Sequence, residues 1–317
     1  MSSARPRDER EPSPAELAEM RLATAETRMR RDWTGRVRAV RPDPETILPP
    51  PTPATAFRQR YGVVYNTHGP RMRIGVLWCV AVILSLAYEP TRPYGLAMLY
   101  GIVAGVASRQ VVDAWHPGRE SIERWVAALG GATLPVLATA GTRLLGAGLL
   151  LLVLVSSISA FLQPRDERDV PVFASAGLTV LAAGVCGGAA ASLVLLANYE
   201  IGAVIILLIF LMVYDASDFI IGSGASNGVE GPLAGALSIF ATTMLLAFTE
   251  VPPFRGVDVW NFAMLAAIAC PAGQLLASAM LPRANAKAPA LRRLDSMLIA
   301  APAWAGLIGL YLQSAGR

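Results

Sequence analysis

"IGAVIILLIFLMVYDASDFIIGSGASNGVEGPLAG", residues 201–235, decides the fold. Its first fourteen residues carry no charge, and the rest add Asp215, Asp218, a glycine-rich turn and Glu230. An uncharged run of this kind suits hydrocarbon, where backbone amides find no water and only a helix or a closed barrel satisfies them. The apolar stretches of this chain are long and continuous, which selects helices. The acids that close this one then need a reason, since a carboxylate within a bilayer normally faces a bundle interior or a wet cavity.

The rest of the composition points the same way. Across 317 residues, 54% are hydrophobic, 16% are charged and the mean hydropathy is +0.48, which excludes an ordinary soluble domain. The pattern predicts an all-α polytopic protein with nine spans at about 74–89, 94–109, 124–142, 144–163, 171–197, 201–222, 231–250, 257–281 and 296–314. Residues 1–73 read as a cytoplasmic arginine- and proline-rich tail, with 14 arginines against 9 acids, and residues 74–317 as the transmembrane domain. Within the tail, Ser13 and Glu16 have capping-box spacing for a short helix. No apolar core with a small-residue cleavage site stands near Met1, so no cleavable signal peptide is expected.

Orientation follows from the loop cations. An inside N-terminus groups Arg109, Arg119, Arg124, Arg165, Arg168, Arg283, Lys287, Arg292 and Arg293 on the cytoplasmic side, leaving Arg92, Arg143 and Arg255 outside. The expectation is a multi-pass protein of the cell membrane, N-terminus in and C-terminus out. Gly101 and Gly105, and the stretch "AAGVCGGAAAS" around Cys186, have the small-residue spacing that lets helix backbones approach in lipid. Cys79, Cys186 and Cys270 are isolated in apolar runs and suit packing. Two histidines, His68 and His116, are too few for a histidine-based metal cluster.

Continued helix through Gly222 would put Asp215 and Asp218 on one face, with Gly222 two turns beyond Asp215. Two such acids are explained by a cation; the competing reading ends the helix near Tyr214 and leaves both in an interfacial loop. Gly222, Gly224 and Gly228 permit unusual backbone conformations that could converge amides on an anion, and Pro232 suits the first turn of the next helix. A second constellation, "ALRRLDSMLIAAPAW" at 290–304, offers Arg292 and Arg293 to phosphate oxygens, or to membrane anchoring. Asp295 and Ser296 there are equally explained as helix caps.

Together these stretches resemble the phosphatidate cytidylyltransferase family, the CDP-diacylglycerol synthases, over residues 201–304. "DASDFIIG" places Asp215 on the family's aspartate, Phe219 on its tyrosine and Gly222 on its glycine, and "GASNGVEG" keeps Glu230 and Gly231. "GQLLAS" resembles the family's Gly-Asp-Leu-x-Glu-Ser, and "LRRLDSMLIAAP" matches its later motif at Arg293, Asp295 and Ser296. The resemblance implies attack by the phosphate of phosphatidic acid on the α-phosphorus of CTP, giving CDP-diacylglycerol and pyrophosphate in phospholipid biosynthesis. It implies Mg2+ as cofactor, Asp215 and Asp295 as catalytic acids, and a homodimer. Asp215, Asp218 and Asp295 become the expected metal set, and Gly222, Ser226, Asn227, Glu230, Arg292, Arg293 and Ser296 the expected substrate contacts. No nucleic-acid partner is expected.

The departures fall on the chemistry. Asn227 stands where the family has lysine, Gln274 where it has the aspartate of the Gly-Asp pair, and Arg292 where it has an aspartate; the loop 283–291 lacks further family elements. Two lost carboxylates remove charge from a magnesium site, and Asp218, where the family has a small residue, is the candidate to compensate. The alternative is a catalytically silent relative that binds lipid or a membrane partner. A small-solute transporter also fits the architecture, but no internal repeat is evident in the sequence.

Overall fold

The computed structural model describes residues 70–89, 92–116, 121–162, 171–223, 228–249, 252–254, 256–283 and 286–314, which belong to one compact unit. The tail up to residue 69, with the Ser13–Glu16 pair, lies outside them. Nine helices follow in order: α1 Pro70–Ala87, α2 Arg92–Trp115, α3 Ile122–Ala138, α4 Thr142–Leu162, α5 Val172–Tyr199, α6 Ile201–Gly222, α7 Glu230–Thr249, α8 Asp258–Ala279 and α9 Met297–Ser314. No strand occurs among the described residues, and the chain is an all-α polytopic membrane protein.

Each helix coincides with one of the nine apolar runs, but not all nine have the length of a full span. Seven are long and apolar enough to cross a membrane, α2 and α4 to α9. The apolar part of α1 is Gly75–Ala87. Helix α3 has 17 residues, about 26 Å at 1.5 Å per residue against a core of about 30 Å. Its first turn holds Glu123, which is buried, and its last turn holds Pro135.

The inner part of the bundle is built from small residues on α2, α3 and α5. A Cβ on Gly101 would stand 2.9 Å from the carbonyl oxygen of Ala132, one on Gly105 2.7 Å from that of Ala128, and one on Gly187 2.9 Å from that of Gly131. Backbones meet there directly, which is the packing reading of these glycines. Ser108 is fully buried in the same seam, and its hydroxyl donates to Ala104 O at 2.7 Å and, between helices, to Ala182 O at 3.1 Å.

Consecutive helices contact one another and reverse direction. One end of the bundle therefore gathers the last turns of α2, α6 and α8 with the first turns of α3, α7 and α9. Cross-links there are direct: Trp115 Nε1 donates to Met280 O at 2.9 Å, and Ala290 N donates to Gln110 Oε1 at 2.9 Å. At the opposite end Asn198 Nδ2 donates to the carbonyls of Ala138 and Thr139, both at 3.2 Å, closing α5 on α3.

Candidate functional site

Helix α6 starts where Glu200, extended at φ −153° and ψ 97°, accepts from Gly202 N through its side chain at 3.3 Å. It then runs unbroken to Gly222. Asp215 and Asp218 therefore belong to the helix, and the interfacial-loop reading falls. Their partners lie on the facing helices: Ser296 Oγ donates to Asp215 Oδ2 at 3.2 Å, and Gln274 Nε2 donates to Asp218 Oδ2 at 2.9 Å. Gln274 is itself held, since the hydroxyl of buried Tyr214 donates to its Oε1 at 3.1 Å. The chain Tyr214, Gln274, Asp218 thus leaves α6, crosses to α8 and returns.

The segment before α9 supplies the other half. Leu291–Arg293 forms a 3-10 turn, after which Asp295 Oδ1 accepts from Ser296 N at 2.8 Å and Oδ2 lies 3.8 Å from Arg292 Nη1. Arg292 also donates to Ser278 Oγ at 3.0 Å, which places the arginine against α8. Arg293 is exposed and within electrostatic reach of Asp215. The Asp295 side chain is 13% exposed, and burial pushes its carboxyl up to about 6. The Ser296 amide and the Arg292 guanidinium oppose that rise, while the charge of Asp218 adds to it.

Asp215 and Asp295, eighty residues apart in sequence, interact electrostatically. Asp215 is exposed, with its Oδ2 held by Ser296. Ser296, by contrast, is 2% exposed and spends its hydroxyl on Asp215. Of the two explanations for Ser296, the cap is therefore replaced by a cross-helix contact.

Glycines enter this site through close approach. A Cβ on Gly231 would strike Asp218 Oδ1, and one on Gly273 would strike the carbonyl oxygen of Asp295. The expectation for Gly222 and Gly228 is corrected here. Neither adopts positive φ; among the described glycines only Gly141 and Gly256 do. Gly222 ends α6 in ordinary helical continuity, with Ser223 N bonded to Phe219 O at 3.1 Å, and packs against Gly231. Its small size serves the crossing of α6 and α7. Glu230 heads α7, half-buried, where an acid complements the helix dipole. Ser226 and Asn227 lie outside the described residues.

The expected metal set is brought together only in part. Among the described residues no group of three or more His, Cys, Asp or Glu side chains is placed to hold a metal ion. Asp218 accounts for this: Oδ2 is bonded to Gln274 and Oδ1 lies against Gly231. Asp215 and Asp295 remain as a carboxylate pair, which suits a divalent ion that arrives with most of its oxygens supplied by phosphate and water.

Charge decides what else the site can accept. When ionised, Asp215, Asp218 and Asp295 contribute three formal negative charges against two positive ones on Arg292 and Arg293, so a polyphosphate would be repelled unless a cation accompanied it. Tyr214, Gln274 and Ser278 join this cluster, although the sequence motifs do not mark them as contacts. Gln274 and Ser278 are four residues apart in the otherwise apolar later part of α8, a spacing that puts both on one face.

No family model matches this chain, and no curated protein matches it.

Proposed function

We propose that the protein is a membrane-embedded nucleotidyltransferase of the phosphatidate cytidylyltransferase type, joining CTP to phosphatidic acid with release of pyrophosphate. The observation that carries this is the bond between Ser296 and Asp215, which unites the two stretches whose motifs resemble that family. A phosphate oxygen of phosphatidic acid attacks the α-phosphorus of CTP, and the bond to the β-phosphate bridging oxygen breaks. Such a transfer depends on positioning and on neutralising charge. Arg292, held by Ser278 and Asp295, and exposed Arg293 face the phosphates, and Ser296 orients Asp215. A divalent ion carried in with the nucleotide would be held by Asp215 and Asp295 and would neutralise phosphate charge.

Gln274 bears on the missing acid. It occupies the position of a family aspartate, and its amide holds Asp218, so the carboxylate at this crossing comes from α6 instead of α8. This supports the compensating role of Asp218 as a charge in the site rather than as a direct metal ligand. The loop cations named above favour placing this end of the bundle in the cytosol, with the C-terminus outside the cell membrane. Labelled CTP supplied with phosphatidic acid, magnesium and the purified protein tests the reading: lipid-linked label that disappears in Asp215→Asn is the expected result.

A second reading, a silent relative that binds lipid or a membrane partner, is favoured by one observation. All three carboxylates are already engaged by protein groups, and none belongs to a ready metal cluster. Absence of label across several acceptor lipids and divalent metals, from protein that unfolds cooperatively, would select it.

A further inference from the structure

At the same end of the bundle, the last turns of α2 and the first turn of α3 carry a second polar constellation that the proposed chemistry does not use. Arg109 Nε donates to Asp113 Oδ2 at 3.4 Å, and its guanidinium carbon lies 4.4 Å from the centre of the Trp125 ring. Asp113 also lies 3.9 Å from Arg124 Nη1, so one carboxylate serves two guanidinium groups. Arg124 is mostly covered, at 15% exposure, whereas Arg109 keeps 36%. Among the described residues Asp113 is the polar partner of Arg109, and that contact uses Nε alone. The two terminal nitrogens are left as a fork, held in direction by the bond on one side and the indole on the other. A guanidinium fork is the donor shape that takes two oxygens of one phosphate.

The surroundings say where that phosphate comes from. Trp115, Ile122 and Trp125 are exposed on the same helix ends. The Trp125 indole beside arginine, with Trp115 and Ile122 exposed on the same helix ends, is the composition of the interfacial belt, where aromatic rings sit at headgroup level. A free phosphate in water gains nothing from this apolar collar; a lipid places its acyl chains along it. Glu123, the acid of the first turn of α3, is buried. We infer that Arg109, oriented by Asp113 and Trp125, binds the headgroup phosphate of an anionic phospholipid at the rim of α2 and α3. The inference stands independently of the transferase reading, although Trp115 and Gln110 tie this rim to the segment that carries Asp295.

Native mass spectrometry of the full-length protein in detergent, titrated with phosphatidylglycerol or phosphatidylcholine, tests it. The parent is expected to retain phosphatidylglycerol over phosphatidylcholine. Arg109→Gln should weaken retention about tenfold, since a charge-assisted pair of bonds is lost. Asp113→Asn should strengthen it severalfold, because the amide oxygen still accepts from Arg109 Nε while a negative charge beside the phosphate is removed. This opposite sign does not arise from misfolding, so the test survives a damaged Arg109 variant. Equal retention of both lipids by the parent, or unchanged phosphatidylglycerol retention in both Arg109→Gln and Asp113→Asn, would overturn the inference. So would inorganic phosphate or glycerol 3-phosphate displacing the lipid at equal concentration, which would assign the fork to a soluble phosphate.

Discussion

Where α2, α3 and α5 meet, Gly101, Gly105, Gly131 and Gly187 set backbone against backbone; where α6, α8 and α9 meet, Asp215, Asp218, Gln274 and Ser296 set polar side chain against polar side chain. Both regions join helices in a solvent that rewards no apolar contact over lipid. In the first, small residues gain dispersion by close approach and bury almost nothing that needs a partner. In the second, charges are kept within the bundle end by bonds that each need a matching group, a more demanding arrangement than close packing requires. The difference separates a region that holds helices by close approach from one that holds charged groups in place.

That contrast breaks if substitutions in the two regions have the same consequences. The largest effect is expected for Asp215→Asn, which should lower CTP-dependent labelling of phosphatidic acid at least about 100-fold while leaving thermal unfolding nearly unchanged. Gly131→Leu should do the reverse: its side chain would enter the space of Ser108 Oγ and the carbonyl of Ala104, and overpacking of this kind costs about 1–3 kcal/mol or more. A thermal-shift measurement in detergent reads that loss. Gln274→Ala is intermediate, touching both properties. It removes the donor to Asp218 and the acceptor of Tyr214, with an expected loss of about 1–2 kcal/mol in unfolding assays and a weaker fall in transfer. Ser296→Ala should be the smallest, about 1 kcal/mol, with a drop in turnover larger than any change in lipid KM.

The helices were legible because hydropathy reports directly on the solvent they occupy. The uncharged stretch 201–214 could be nothing but a buried or lipid-facing helix, and the structure carries it to Gly222. The shortfall of α3 was less visible, since "ALGGATLPVLATA" continues apolar past Pro135 although the helix stops at Ala138. Asp215 and Asp295 stood out for their membrane placement, and the structure brings their segments together. Gln274 was conspicuous only as a departure from a motif. Its bonds to Tyr214 and Asp218 depend on how α6 crosses α8, which no local pattern encodes. Gly222 misled for a related reason: a glycine needed for helix crossing and one needed for a left-handed turn look the same in one sequence, and only φ distinguishes them.

The meeting of α6 with the start of α9 is the contact on which the proposed site stands. In protein with Cys79, Cys186 and Cys270 replaced by alanine, the pair Asp215→Cys and Ser296→Cys can be treated in membranes with a short bifunctional thiol reagent. Rapid intramolecular cross-linking, absent from either single-cysteine variant and from a pair joining Asp215→Cys to an α4 position such as Leu154→Cys, is the expected result. Free thiols at both positions that each react with a monofunctional reagent yet never link to one another would contradict it.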